Sequence, residues 1–181
     1  MRIKLVILDI DGVMTDGTKF YNEDHEVLGK RFLCKDFSAI KRFVAAGVKV
    51  IMLSGDNFNS QMAKKRNISF YCSRSADLSL DKSRFIETFS KEYGISKHEM
   101  CLVGDDYFDL SMFKALEATF STADAPQIIK DNSYKVLKSN GGTGVVVELY
   151  DYFVSKKWIQ DATEEDVAYL DKLEATSREM S

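Results

Sequence analysis

Short apolar runs alternate with stretches of helical periodicity along most of the chain, the pattern of repeated βαβ units. Three runs, Lys4–Asp9 (KLVILD), Val48–Leu53 (VKVIML) and Met100–Val103 (MCLV), are nearly continuous in apolar residues. A strand with one wet face alternates apolar and polar side chains. Unbroken runs therefore predict strands covered on both faces, and hence parallel. Weaker strands are expected near Ile68–Cys72, Ala118–Ser121 and Tyr134–Leu137. Apolar spacings of three and four predict helices around Asp36–Ala46, Ser60–Arg66, Leu80–Tyr93, Asp109–Leu116 and Val145–Ser155. Gly47 and Gly94 stand where helix C-caps belong. The expected fold is α/β, a Rossmann-like parallel sheet flanked by helices.

Two segments break the alternation. Between Asp16 and Asp36 the sequence TKFYNEDHEVLGKRFL carries two β-prone runs around Asn22-Glu23-Asp24, which predicts a small β-hairpin flap after the first strand. Near the end, Thr163–Arg178 reads as a charged amphipathic helix, with Thr163 and Asp166 in capping-box spacing. Val167, Leu170 and Leu173 would face a partner surface. The chain then divides into a core of residues 1–157, with the flap over 16–36, and a helical tail of 158–181.

Composition narrows the partners. A net charge of −3, with no basic stripe interleaved with aromatics, argues against nucleic acid. Cys34, Cys72 and Cys101 are too far apart to suggest a disulfide framework and are expected to be reduced, inert and buried. The opening MRIKLVILDID meets carboxylates too early for a signal peptide, and no run is long enough to span a bilayer. A cytoplasmic protein without a membrane partner is expected.

Candidate chemistry falls at the ends of the predicted strands, where open parallel sheets bind ligands. Asp9 and Asp11 in DIDG are two apart, so in extended backbone both project to one side; such a pair requires a cation or a shared proton. Ser54-Gly55 offers a hydroxyl and backbone N–H groups before a helix, suited to a phosphoryl oxygen, although a plain N-cap has the same signature. Lys82 in DKSRF is informative only through its place in the order. Gly104-Asp105-Asp106, with Asp109 following, again suggests a hard cation held by oxygen ligands, with Asp106 and Asp109 also candidate caps of the next helix.

In this order LDIDGVMTDG, MLSG, DKSRF and LVGDDYFDLSMF resemble the four motifs of the haloacid dehalogenase superfamily of phosphohydrolases, over roughly Lys4 to Val154. The finer likeness is to its capless 3-deoxy-D-manno-octulosonate 8-phosphate phosphatase group, which includes phosphatases of nine-carbon keto-sugar acid 9-phosphates such as 2-keto-3-deoxynononate and N-acetylneuraminate. DGVMTDG with its short hairpin, GDDYFDLSMF and GGTGVVVELYDYF carry that likeness, and no large cap domain fits between the motifs.

The resemblance implies a Mg2+-dependent phosphatase of a small sugar phosphate in cell-surface polysaccharide biosynthesis. Asp9 would be the nucleophile and Asp11 the general acid and base. Ser54, Gly55 and Lys82 would hold the phosphoryl group. Asp9, Asp105 and the main-chain carbonyl of Asp11 would hold the metal, supported by Asp106 and Asp109. It also implies a homotetramer in which a neighbour's flap helps close the site. Three positions depart from the group's usual pattern: Asp56 replaces an arginine, Phe37 replaces the glycine of an Arg-Asp-Gly segment, and Val147 replaces the arginine before Glu148. All three lie in substrate-facing or subunit-contact segments. Two other classes share part of the pattern, a receiver-type phospho-accepting domain and a catalytically quiet oligomerisation module. The split of Asp9 from Asp11 and the position of Lys82 before the GDD speak against the first. The full set of catalytic side chains speaks against the second.

Overall fold

The structure, a computed structural model, describes residues 1–74 and 81–179, with side chains as far as Leu173. Six parallel strands form one sheet: β1 (Leu5–Leu8), β4 (Lys49–Ser54), β5 (Ser69–Cys72), β6 (Met100–Gly104), β7 (Ala118–Ser121) and β8 (Lys135–Val136). Their order is β5-β4-β1-β6-β7-β8, so β1 lies at the centre, paired with β4 and β6. The continuous apolar runs have the expected cause. Val6, Leu8, Val50, Met52, Cys101 and Val103 pack on one face, under α1 (Cys34–Ala45), α2 (Ser60–Lys65) and α6 (Val145–Ser155). Leu5, Ile7, Ile51, Leu53, Met100 and Leu102 pack on the other, under α3 (Arg84–Tyr93), α4 (Leu110–Ala115) and α5 (Gln127–Asp131). Alternate side chains thus feed two cores, and neither face of the sheet is wet.

The flap is an antiparallel pair, β2 (Phe20–Tyr21) and β3 (Val27–Gly29), and no large cap interrupts the sheet among the described residues. Its turn runs over 22–26. The Asn22 N–H donates to the Glu26 carbonyl at 3.0 Å, and the Asn22 side chain accepts the Glu26 N–H at 2.8 Å. The left-handed residue is His25 (φ 64), stacked edge-on against Tyr21, rather than a residue of the Asn22-Glu23-Asp24 stretch.

Several boundaries differ from the sequence reading. The helix expected over Leu80–Tyr93 begins at Arg84; Leu80 lies outside the described residues. The Asp81 carboxylate accepts both the N–H and the hydroxyl of Ser83, a local bond that competes with helix and leaves Lys82 in a turn. Asp109 likewise ends a 3-10 turn, Tyr107–Asp109, that precedes α4. Of the cysteines only Cys101 is buried; Cys34 is exposed at the start of α1 and Cys72 is half-buried.

The last helix, α7 (Glu164–Glu179), opens with the expected capping box: Thr163 Oγ1 accepts the Asp166 N–H while the Asp166 carboxylate accepts from Thr163. It lies on α1 of its own chain, with Val167 and Leu170 half-buried and ion pairs from Lys41 to Asp171 and Arg42 to Glu164. This corrects the expectation that this face meets a partner; Leu173 alone of the three is exposed. No described helix is long and apolar enough to cross a membrane.

Candidate active site

Matched register aligns the ends of the central strands. Leu8 pairs with both Met52 and Val103, so Asp9, Ser54 and Asp105 emerge at the same edge. The Asp9 N–H continues the ladder onto the Val103 carbonyl at 3.0 Å. A cleft of about 160 Å³ opens there, and Asp9, Asp11, Ser54, Gly55, Lys82, Asp106 and Asp109 all line it. Asp105 stands beside Asp9 and completes the set expected from the sequence.

Its floor is buried and charged. Lys82 Nζ lies 2.9 Å from Asp9 Oδ1 and 2.6 Å from Asp109 Oδ1, and all three side chains are at most a tenth exposed. Burial alone would lower the lysine's pKa, but Asp9 and Asp109 hold its ammonium well above the usual lysine range. Burial pushes Asp9 up to about 7 against the pull of Lys82, and Asp109 and Asp11 add to the rise. Asp105 rises to about 8, again by burial first and then through Asp9, Asp109 and Asp106.

Asp9, Asp105 and Asp109 can each turn a carboxylate oxygen to within 4.8 Å of the others, with one ammonium among them. Asp105 Oδ1 is buried with no hydrogen-bond donor. A buried, unsatisfied oxygen in an acid-rich cluster fits a hard divalent cation. Gly12 makes room for this cluster: it is left-handed (φ 85), and a Cβ there would fall 2.0 Å from Asp105 Oδ2.

The supporting residues take distinct parts. Asp109 accepts the N–H groups of Asp105 and Asp106 at 3.2 and 3.4 Å while it holds Lys82. It therefore belongs to the floor and is more than a cap. Asp106 does cap the 3-10 turn, accepting the Tyr107 N–H at 2.6 Å. Ser54 is buried, and its Oγ accepts the Asp56 N–H at 3.1 Å, so the N-cap-like reading and the phosphate reading both keep their geometric basis.

The cleft wall was not legible in the sequence. From the flap, Lys30 Nζ reaches Asp11 at 2.8 Å and Asp56 at 3.0 Å, its side chain fully buried. Lys19 Nζ lies 2.8 Å from Asp56 and 3.9 Å from Asp11. Although partial burial works the other way, bonds from Lys19, the Phe58 amide and Lys30 hold the Asp56 carboxyl well below the usual range. The flap thus sets two cations beside Asp11. These contacts span 19 to 37 residues of sequence, beyond the reach of any local spacing rule.

Another departure has a structural part. Asp36, in the altered Lys35-Asp36-Phe37 segment, is fully buried and accepts the N–H groups of Val146 and Val147 at 2.9 and 3.2 Å, capping α6 from α1. Just upstream, the Gly142 N–H donates to the Val13 carbonyl at 2.9 Å, fastening the late glycine segment to the loop that carries Asp11.

Residues 56–149 match the haloacid dehalogenase-like hydrolase family. The chain is 33% identical over 150 residues to the 3-deoxy-D-manno-octulosonate 8-phosphate phosphatase of Haemophilus influenzae, covering 83% of this chain and 82% of that protein. The cobalt-bound structure of the Haemophilus influenzae phosphatase superposes with a TM-score of 0.76 at 31% identity, over 85% of this chain and 88% of the other. The enzyme of that name from Moraxella catarrhalis, solved with magnesium, phosphate and a KDO molecule, has a TM-score of 0.75 over 94% and 93% of the two chains. At 21% identity that last match is a likeness of fold.

Proposed function

This chain belongs to the haloacid dehalogenase-like hydrolase family, and from that premise we propose that it hydrolyses the phosphate monoester of an eight- or nine-carbon 3-deoxy keto-sugar acid, with Asp9 as nucleophile. The observation that carries the reading is the floor itself: Asp9, Asp105 and Asp109 around one lysine at the central strand ends, with an unsatisfied carboxylate oxygen among them. The identity to the Haemophilus influenzae phosphatase supports the substrate class, and that relative's cobalt-bound form supports a divalent cation. Oxygen ligands favour magnesium as the resident ion.

Asp9, Asp105 and the main-chain carbonyl of Asp11 would hold the cation, with the Asp109 carboxylate within reach of the same cluster. When bound, the cation supplies positive charge that offsets repulsion between the Asp9 carboxylate and a phosphate dianion. Lys82 fixes Asp9 through Oδ1 and so aims the carboxylate. Attack of Asp9 on phosphorus breaks the ester bond and gives an aspartyl phosphate, and Asp11 passes a proton to the departing alkoxide. Asp11 then takes a proton from the water that cleaves the acyl phosphate. The Ser54 hydroxyl and the Gly55 amide bind the phosphoryl oxygens, an arrangement of most value as charge spreads in the transition state.

The chain would act as a homotetramer. Phe20, Tyr21 and Leu28 on the flap are about half or more exposed and suit contact with a neighbouring copy. Turnover of 3-deoxy-D-manno-octulosonate 8-phosphate, of nine-carbon keto-acid 9-phosphates and of simple hexose phosphates by the purified protein tests the reading. Preference for the sugar acids is expected, and equal rates on all would overturn the substrate class while leaving the phosphatase.

A further inference from the structure

We propose that Arg74 is a specificity residue whose guanidinium takes the carboxylate of the substrate, the end of the molecule that does not react. The proposal rests on the sugar-acid phosphatase reading above and adds the group that recognises the acid.

Charge pairing around the cleft singles this residue out. Three cationic side chains line it, Lys19, Lys82 and Arg74, while Lys30 is buried in the wall against Asp11 and Asp56. Lys82 is held between Asp9 and Asp109, and Lys19 is held by Asp56. Among the described residues Arg74 has no carboxylate within ion-pair distance; its one recorded partner is the ring of Phe108, 4.8 Å from Cζ. A guanidinium offers a planar fork of donors that matches a carboxylate in a bidentate pair, and stacking on a ring leaves that fork edge free to bind.

Its placement is built. The Ser73 N–H donates to the Ser54 carbonyl at 2.8 Å, tying the end of β5 to the end of β4, and Arg84 donates to the Ser73 carbonyl at 2.8 Å. Ser73, the residue before Arg74, is thus held through both its N–H and its carbonyl. The Arg74 side chain then crosses Gly55 so closely that a Cβ there would lie 2.9 Å from Nε. The glycine proposed to present its amide to the phosphoryl group is also what lets the guanidinium lie over the cleft. One edge of the cleft, on this reading, holds the phosphate and the rim above it holds a second anion.

The test compares R74A and R74K with the unaltered protein on two substrates, 3-deoxy-D-manno-octulosonate 8-phosphate and glucose 6-phosphate, which lacks a carboxylate. For R74A the ratio of kcat/KM for the acid to kcat/KM for the hexose phosphate should fall about 10- to 100-fold, mainly through KM of the acid. R74K should recover part of that ratio, since it keeps the charge and loses the fork. An equal loss on both substrates would assign Arg74 to the phosphoryl group and overturn the proposal, as would an unchanged ratio. If the unaltered protein itself showed no preference for the acid, the sugar-acid reading would fall instead, and the two failures are told apart by that first measurement. Arg74 is exposed, so both variants are expected to fold, with circular dichroism as the check.

Discussion

The cleft has a floor and a wall, and they are made differently. The floor consists of Asp9, Lys82 and Asp109, buried and joined by charge-assisted bonds under 3 Å, with half-buried Asp105 beside them, all on or next to central strand ends. The wall consists of Lys19 and Lys30 from the flap, Asp56 from the β4 end, and Arg74 stacked on Phe108; all but Lys30 have side chains in contact with water. Buried charges on the floor have no solvent to replace a lost partner, so losing any one should be costly. Wall charges other than Lys30 are partly screened, so each of those can change at modest cost. On the proposed function, phosphoryl chemistry and substrate choice fall to regions with different tolerance for mutation.

The largest effect should come from the floor. D9N should lose at least about 1,000-fold in kcat with the fold retained, measured with a released-phosphate assay and circular dichroism. Substantial turnover by D9N would remove the nucleophile from the floor and end the comparison.

Metal removal ranks next. Excess chelator should abolish turnover, and added magnesium should restore it. Because Asp9 and Asp105 rise to about 7 and about 8, both carry protons below neutrality that a cation must displace. The affinity of the protein for magnesium, followed by calorimetry, should therefore fall as pH falls, by at least about tenfold from pH 8 to pH 6. A flat profile would mean that the acid cluster is not the metal site.

K82A should cost about 3 kcal/mol or more of stability, read by urea unfolding, because it leaves Asp9 and Asp109 buried together without their cation. Activity would fall with it. The smallest effect is expected on the wall: K19A, which removes a partly exposed partner of Asp56, should raise KM about threefold with little change in kcat. A K19A loss as large as that of K82A would erase the distinction between the two regions.

The same division explains what could be read without coordinates. The floor follows local rules: apolar runs specify β1, β4 and β6, parallel pairing brings their ends together, and the motif residues follow directly after. Asp9, Ser54 and Asp105 could be found from one short segment each. The wall depends on where a hairpin folds back, and nothing in the spacing of Lys19 or Lys30 connects them to Asp56. Arg74 gave no signal, since a single arginine after a weak strand is ordinary. Where local reading failed on the floor, a side chain had outcompeted helix, as Asp81 does at Ser83. Asp36 was noted for the residues around it, and its role as a cap of α6 came only from a contact 110 residues away.

That contact bears on the order in which the protein can be completed during synthesis. Asp9 is translated well before Gly142, yet the loop after it is fastened by Gly142, and buried Asp36 finds its donors only at Val146 and Val147. A nascent chain stopped short of those residues would own every group of the floor and lack the tie that seals it. Completion of the proposed site therefore waits for a segment far downstream of the motif that begins it.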